Sequence, residues 1–254
     1  MKTSADWVAY FGENLQKERI DWNTPIVIRP TEKKVLLKSL QAWQLGETSD
    51  GSHLLKAARR YADKTHDMIY PLAVELFIKE EQKHGNNLGK YLDMIGEKRV
   101  QKDWGDTLFR KVRYHNNSME LWTLAVITVE STAQIFYQSL KDATNCPLLK
   151  QICTDILIDE AAHIEFQQQR MQTIYYATNP VTRLARYWGY KCFYYGTISV
   201  VWFAHRKAFA AGGIGFLRYF RKMRFKFSRT FGKLRSAEAR AYYRHEFLQQ
   251  YYSH

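Results

Sequence analysis

Glu81 and His84, and again Glu160 and His163, stand three residues apart in two helical stretches, LFIKEEQKHGNNL (76–88) and ILIDEAAHIEF (156–166). Residues at that spacing project from one helix face, so each stretch offers a carboxylate and an imidazole together. A single Glu-x-x-His is ordinarily a solvated surface pair. Two of them constrain the chain strongly when a third stretch, LWTLAVITVESTAQIFY (121–137), carries Glu130 in its middle. That stretch is apolar on almost every face and is expected to be buried. A lone buried carboxylate is costly and is resolved by protonation, by a paired cation or by a metal ion. No Lys or Arg lies near it on the same stretch. A metal is therefore the reading to test.

The periodicity predicts four long helices over about 32–63, 68–95, 118–142 and 147–177. Thr31 is a capping candidate for the first, Pro71 and Pro147 suit first turns, and Gly46 and Gly51 would bend the first helix. Gly96 to Asn117 forms a longer crossover whose Trp104–Tyr114 piece reads as a short helix. With five Pro, thirteen Gly and 46% apolar residues, the chain is all-α. Four long helices with one long crossover describe a ferritin-like four-helix bundle.

Glu47, on the first helix, completes the order Glu, Glu-x-x-His, Glu, Glu-x-x-His, one element per helix, which is the arrangement of di-iron carboxylate bundles. Intervals of 34, 49 and 30 residues between successive glutamates allow an antiparallel return each time. Carboxylates suit Fe and Mn and bridge two ions, and one imidazole per ion leaves coordination positions open. The expected cofactor is two Fe ions, with Mn in place of one Fe also accommodated. Asp50, one turn from Glu47, is the competing carboxylate. His53, a third of a turn off the Glu47 direction, and Glu165, two residues past His163, read as non-ligands.

Three domains follow: a 1–31 arm crossing the surface, with Ile26, Val27 and Ile28 as a β-like run; the 32–182 bundle; and a 183–254 extension. The extension holds most of the charge. Residues 183–244 contain fifteen Lys/Arg and one acid, Glu238, out of a net +13, so residues 1–182 are neutral. YWGYKCFYYGTISVVWFA (187–204) and FLRYFRKMRFKFSRTF (216–231) join aromatic residues to this charge, which is bilayer-interface chemistry. The expected partner is an anionic membrane surface, with Arg218, Arg221, Lys222, Arg224, Lys226 and Arg229 as its contacts. The first run is expected to lie on the membrane rather than cross it. The competing reading packs these aromatics onto the bundle under Arg stems, and nucleic acid ranks below the membrane. Cys146, Cys153 and Cys192 form no C-x-x-C pair, and the N-terminus has no secretory pattern, so the expected location is cytoplasmic, peripheral on the membrane's cytoplasmic face.

These motifs resemble the ferritin-like di-iron carboxylate superfamily over about residues 32–177. EEQKHGNNLGKYL (80–92) is similar to the Glu-Glu-x-x-His-Gly segment of soluble acyl-carrier-protein desaturases, and DEAAH (159–163) to their Asp-Glu-x-x-His segment. GETSDGSHLLKAARRYA (46–62) is closer in spacing to rubrerythrins. The resemblance implies that Glu47, Glu81, His84, Glu130, Glu160 and His163 ligate two irons and that Asp159 accepts a hydrogen bond from a ligand histidine. By the pseudo-twofold relation of the second and fourth helices, Glu80 would serve His163 in the same way, although a solvated Glu80 fits the pattern as well. No C-x-x-C knuckle is present, so electrons are expected from another protein, and a homodimer is allowed.

Two functions share these ligands. One is a non-haem oxidoreductase that uses O2 to hydroxylate or desaturate an apolar, lipid-like substrate. The other is an iron-binding or peroxide-reducing protein without an organic substrate. An elongated apolar pocket reaching the metals favours the first, a narrow polar route the second. Tyr137, on the apolar side of the third helix, lies near the site or simply packs in the core. An RNA-modifying hydroxylase is a third reading, with the basic half gripping phosphates.

Overall fold

Prolines and polar caps set most helix starts. In the computed structural model, which describes residues 1–105, 107 and 118–235, Thr3 Oγ1 accepts from the Asp6 amide and the Asp6 carboxylate accepts from the Thr3 amide, a capping box that starts α1 (Ser4–Leu15). Pro30 opens α2 (Pro30–Glu47), so the start precedes Thr31, which lies inside the helix. α3 (Ser52–Thr65) and α4 (Tyr70–Met94) follow, the latter with Pro71 in its first turn. α5 (Met119–Ala143) and α6 (Pro147–Tyr176) form the second pair. Asn179 caps α7 (Pro180–Ala211) by accepting from the Thr182 amide at 2.9 Å, and α8 (Phe216–Phe231) runs into a 3₁₀ turn, Gly232–Arg235. The described residues contain no β-strand, and Ile26, Val27 and Ile28 are irregular. Of Trp104–Tyr114, Trp104, Gly105 and Thr107 are helical and the remainder lies outside the described residues.

The first bundle helix is broken. Where one helix over 32–63 is expected, α2 ends at Glu47 and α3 begins at Ser52. Gly51 turns the chain at φ 66°, and a Cβ there would sit 2.6 Å from Ile78 Cδ1, so the left-handed conformation and the close approach to α4 both require glycine. The break leaves Glu47 on the last turn of α2, facing α4.

The α2–α3 pair packs on α4, α3 also meets α5, α4 meets α6, and α5 lies along α6. Two apolar clusters fill this bundle. One joins Leu40 and Trp43 of α2, Tyr91 of α4, Phe136 of α5 and Ile152 of α6. The other joins Phe11 of α1, Ala58 of α3, Phe77 of α4 and Phe166 of α6. Along α4 the clusters change over across Glu80–His84, with Ile78 in one and Leu88 in the other, and along α6 Ile156 and Ala162, on either side of Asp159 and Glu160, belong to different clusters.

The N-terminal segment differs from the sequence expectation, and the described part of the C-terminal segment follows the competing reading, in which its aromatics pack on the bundle. The N-terminal arm carries α1, whose Trp7, Phe11 and Asn14 are buried against the bundle. In the 183–254 segment, Tyr190, Tyr194, Ile198, Phe209, Tyr219 and Phe231 are buried in the same cluster as α5 and α6, so its described part belongs to the core. Polar atoms of the aromatics find partners there, as the Tyr194 hydroxyl does by donating to the Met223 carbonyl at 3.0 Å. Val181, Leu184, Trp188, Phe203, Leu217 and Phe225 remain exposed on the outer side. No helix among the described residues is long and apolar enough to cross a membrane.

Candidate metal centre

The structure brings Glu47, Glu81, His84, Glu130, Glu160 and His163 into two overlapping groups. Glu47, Glu81 and His84 form one and Glu81, Glu130, Glu160 and His163 the other, with one potential ligand atom from each residue within 4.8 Å of those from the rest of its group. Glu81 belongs to both. All are buried except Glu81, whose side chain is 18% exposed.

Each histidine is oriented from outside. His84 Nε2 lies 3.0 Å from Asp159 Oδ2, and His163 Nε2 lies 2.8 Å from Glu80 Oε2. An ionised carboxylate can only accept, so in the neutral ring each Nε2 carries the proton and each Nδ1 keeps the lone pair that a metal would take. Both Nδ1 atoms point toward the glutamates: His84 Nδ1 is 3.9 Å from Glu81 Oε1, and His163 Nδ1 is 2.8 Å from the same oxygen. Neither Nδ1 makes a hydrogen bond of acceptable geometry, and Glu81 Oε1 and both Glu160 oxygens are likewise buried without one. Buried polar atoms are nearly always satisfied. Inward lone pairs of nitrogen and carboxylate oxygen fit two divalent ions, and this donor chemistry accommodates Fe or Mn without a thiolate.

The electrostatics describe the same fit. Burial first, and then the neighbouring Glu81 carboxylate, push Glu47 up to about 8. Burial raises Glu130, and burial with Glu130 beside it raises Glu160 well above the usual carboxylate range. Burial opposes charging of both histidines, but the Asp159 hydrogen bond and Glu81 outweigh it at His84, and Glu81 and Glu80 outweigh it at His163, so both are raised. Without cations, this cluster holds protons instead. Asp159 goes the other way: burial is overcome by the His84 hydrogen bond, and its carboxyl is held low.

The outer carboxylates are tied together by residues that the sequence reading missed. Asn14 Nδ2 donates to Glu80 Oε1 and to Asp159 Oδ1, each at 2.8 Å. Arg19 Nη1 donates to Asp155 Oδ1 at 2.6 Å and to Asp159 Oδ1 at 3.0 Å, while its Nη2 donates to Asn14 Oδ1. The signal was present in Trp7, Phe11 and Asn14, an i, i+4, i+7 stripe that buries one face of α1. Glu80 is 1% exposed and engaged by both His163 and Asn14, which rules out a solvated surface role.

Other candidates fall elsewhere. Asp50 is exposed and accepts from the Ser52 amide at 3.1 Å, outside both groups. Glu165 is half-exposed, 3.6 Å from Lys2. His53 is exposed and lines the mouth of a cavity. Tyr137 lies at the site, its hydroxyl donating to Glu47 Oε1 at 2.7 Å.

That cavity, of about 180 Å³, reaches Glu47, Glu81 and Glu130 from between α2, α4, α5 and α7. Trp43, Ile78, Val126, Val129, Val200 and Val201 make its walls apolar. His205, also on its lining, is pushed down to about 4 by burial and is therefore neutral.

The sequence matches no protein-family profile and no curated protein at a significant level. Among solved structures, the chain is similar to a mutant R2-like ligand-binding oxidase with an aerobically reconstituted Mn/Fe cofactor, at 14% identity over 89% of this chain and 92% of that one, with a TM-score of 0.58. The likeness shows the fold.

Proposed function

From a ferritin-like bundle with room for two ions at its centre, we propose that this chain is a non-haem, O2-dependent oxidoreductase that hydroxylates or desaturates an apolar, lipid-like substrate. The observation that carries the reading is the junction of the two donor groups, sharing Glu81, with an apolar cavity. A protein that only stores iron or reduces peroxide needs a polar route to its metals, not apolar walls around them.

Glu47, Glu81 and His84 would hold one ion and Glu130, Glu160 and His163 the other, with Glu81 between them. Two redox-active ions bound there supply the electron transfers that reduce O2. The protein's own part is positional. Asp159 and Glu80 fix the imidazole tautomers, and such outer partners raise ligand basicity. Tyr137 holds a proton against Glu47 Oε1 and fixes that carboxylate at the cavity's end. The valines and Trp43 exclude water and align an apolar chain. Reducing equivalents come from a separate donor protein. The exposed Trp188, Phe203, Leu217 and Phe225, interspersed with Arg218, Arg221 and Arg224, support contact with an anionic membrane on its cytoplasmic face.

Anaerobic loading with ferrous iron, metal counting, and O2 uptake with acyl or isoprenoid substrates test this function. Two ions per chain and O2-dependent substrate oxidation support it. Failure to bind metal overturns it, and two ions with O2 uptake but no organic product replaces it with the iron-binding reading.

A further inference from the structure

A groove of about 740 Å³ runs between α5, α6 and α8, on a different face of α5 from the apolar cavity. Ile135, Ala161 and Ile164 line it with apolar surface, while α8 contributes Arg221, Lys222, Lys226 and Arg229. None of these four cations forms an ion pair among the described residues. Among the described residues the groove has one acidic member, Glu165, which is engaged by Lys2 at 3.6 Å and by Gln169, whose Nε2 donates to it at 3.3 Å. Lys226 is drawn inward, its Nζ donating to the neutral Gln134 Oε1, and burial pushes it down to about 8. Phe225, 62% exposed, stands at the groove's edge with the Arg229 guanidinium 5.8 Å from its ring centroid.

Lys226, partly buried without a counter-charge, is unfavourable until an anion completes it, and Arg221 and Arg229 lie exposed beside it. Two guanidinium and two ammonium groups exceed what one carboxylate satisfies. A phosphate monoester brings up to two negative charges and three acceptor oxygens, and guanidinium forks match it bidentately. The apolar lining asks in addition for a chain.

We propose that this groove binds a phosphate-headed amphiphile, its head held by Lys222, Lys226 and Arg229 with Arg221, and its chain lying against Ile135, Ile164 and Phe225. The inference rests on the anionic-lipid contact proposed above, which it turns into a one-to-one site, and it is independent of the metal chemistry. The groove's Ser131, Ala161 and Ile164 are the chain neighbours of Glu130, Glu160 and His163, so an occupant would rest on the helix turns that carry half of the donor residues.

The test is calorimetric titration of the full chain with monomeric dihexanoyl phosphatidate, dihexanoyl phosphatidylcholine and inorganic phosphate, alongside sedimentation with phosphatidate vesicles. The groove pair Lys222→Gln/Arg229→Gln is compared with a charge-matched pair outside the groove, Arg206→Gln/Arg224→Gln. The expected result is saturable 1:1 binding of monomeric phosphatidate, weakened about tenfold or more by the groove pair and less than about threefold by the control pair, tenfold being the loss of one strong charged contact. Vesicle binding that depends on the groove pair assigns the membrane as the source, and monomer binding alone assigns a free amphiphile. Vesicle binding without monomer binding, or equal losses in both pairs, overturns the groove and leaves adsorption by the exposed face. Inorganic phosphate binding as tightly as phosphatidate overturns the amphiphile.

Discussion

Replacing Gly85 by alanine adds one methyl group to α4 and should remove one metal ion. A Cβ at position 85 would lie 2.7 Å from Thr48 Cγ2, 3.0 Å from the Thr48 amide nitrogen and 3.1 Å from the Glu47 carbonyl carbon. Ordinary contact begins near 3.4 Å, and two of these three atoms are backbone, so the end of α2 must retreat by several tenths of an ångström. Metal–ligand distances tolerate about 0.2 Å, which is less than that retreat. Overpacking costs about 1–3 kcal/mol and the gain in helix propensity returns about 1 kcal/mol, leaving a folded protein destabilised by at most about 2 kcal/mol. Affinity at the Glu47–Glu81–His84 position should fall by about 10- to 100-fold, the range seen when a ligand's support is disturbed. The ion held by Glu130, Glu160 and His163 should remain. Gly89→Ala, one turn on, is the control: the three atoms nearest its Cβ all belong to the exposed Arg99 guanidinium, the far end of a side chain that can move aside. Anaerobic metal titration with elemental analysis, together with thermal unfolding, reads both variants. Two ions bound to Gly85→Ala at wild-type affinity, or equal losses in both variants, would refute the argument.

Asn14→Leu removes the donors to Glu80 and Asp159 at once, so it should cost about 1–3 kcal/mol in unfolding free energy and weaken both ions; loss at one position alone would contradict the shared-donor geometry. In metal-free protein, each Glu with a raised folded pKa destabilises the fold above its unfolded value near 4.5, up to about 8 for Glu47. His84 and His163, also raised, contribute stability that is full below about 6.5 and lost as the pH rises through their folded values. The signs agree, so the metal-free melting temperature should fall between pH 5 and pH 8 by calorimetry. Metal should flatten the profile, and a rise on this limb would exclude the mechanism. Asp159, held low, sets the opposite limb below about pH 4, where its stabilisation is lost. Ending the chain at residue 182 strips Tyr190, Tyr194, Ile198, Phe209, Tyr219 and Phe231 from the core. At about 1.5–3 kcal/mol for each apolar side chain, an upper bound, the loss rivals the whole stability of a domain. The truncated chain should show no cooperative unfolding in denaturant, and a cooperative transition would make 183–254 a separable extension.

The donor residues were legible in the sequence because helical periodicity is local: a spacing of three fixes which side chains share a face, and an apolar helix exposes a misfit such as Glu130. The break at Gly51, the burial of α1 and the course of α7 and α8 were not. Each depends on which surface a segment meets. YWGYKCFYYGTISVVWFA reads as membrane-facing, with core-facing as the competing reading, until Tyr190 and Tyr194 are seen buried with α5 and α8 while Trp188 and Phe203 stay outside. The Asn14 bridge joins Glu80 and Asp159 from positions 66 and 145 residues away, a convergence that no local pattern encodes. The sequence by itself determined which groups can carry the chemistry. The tertiary structure decided their tautomers, their protonation and the cavity they face, because those follow from desolvation and from hydrogen-bond partners that only packing brings within reach.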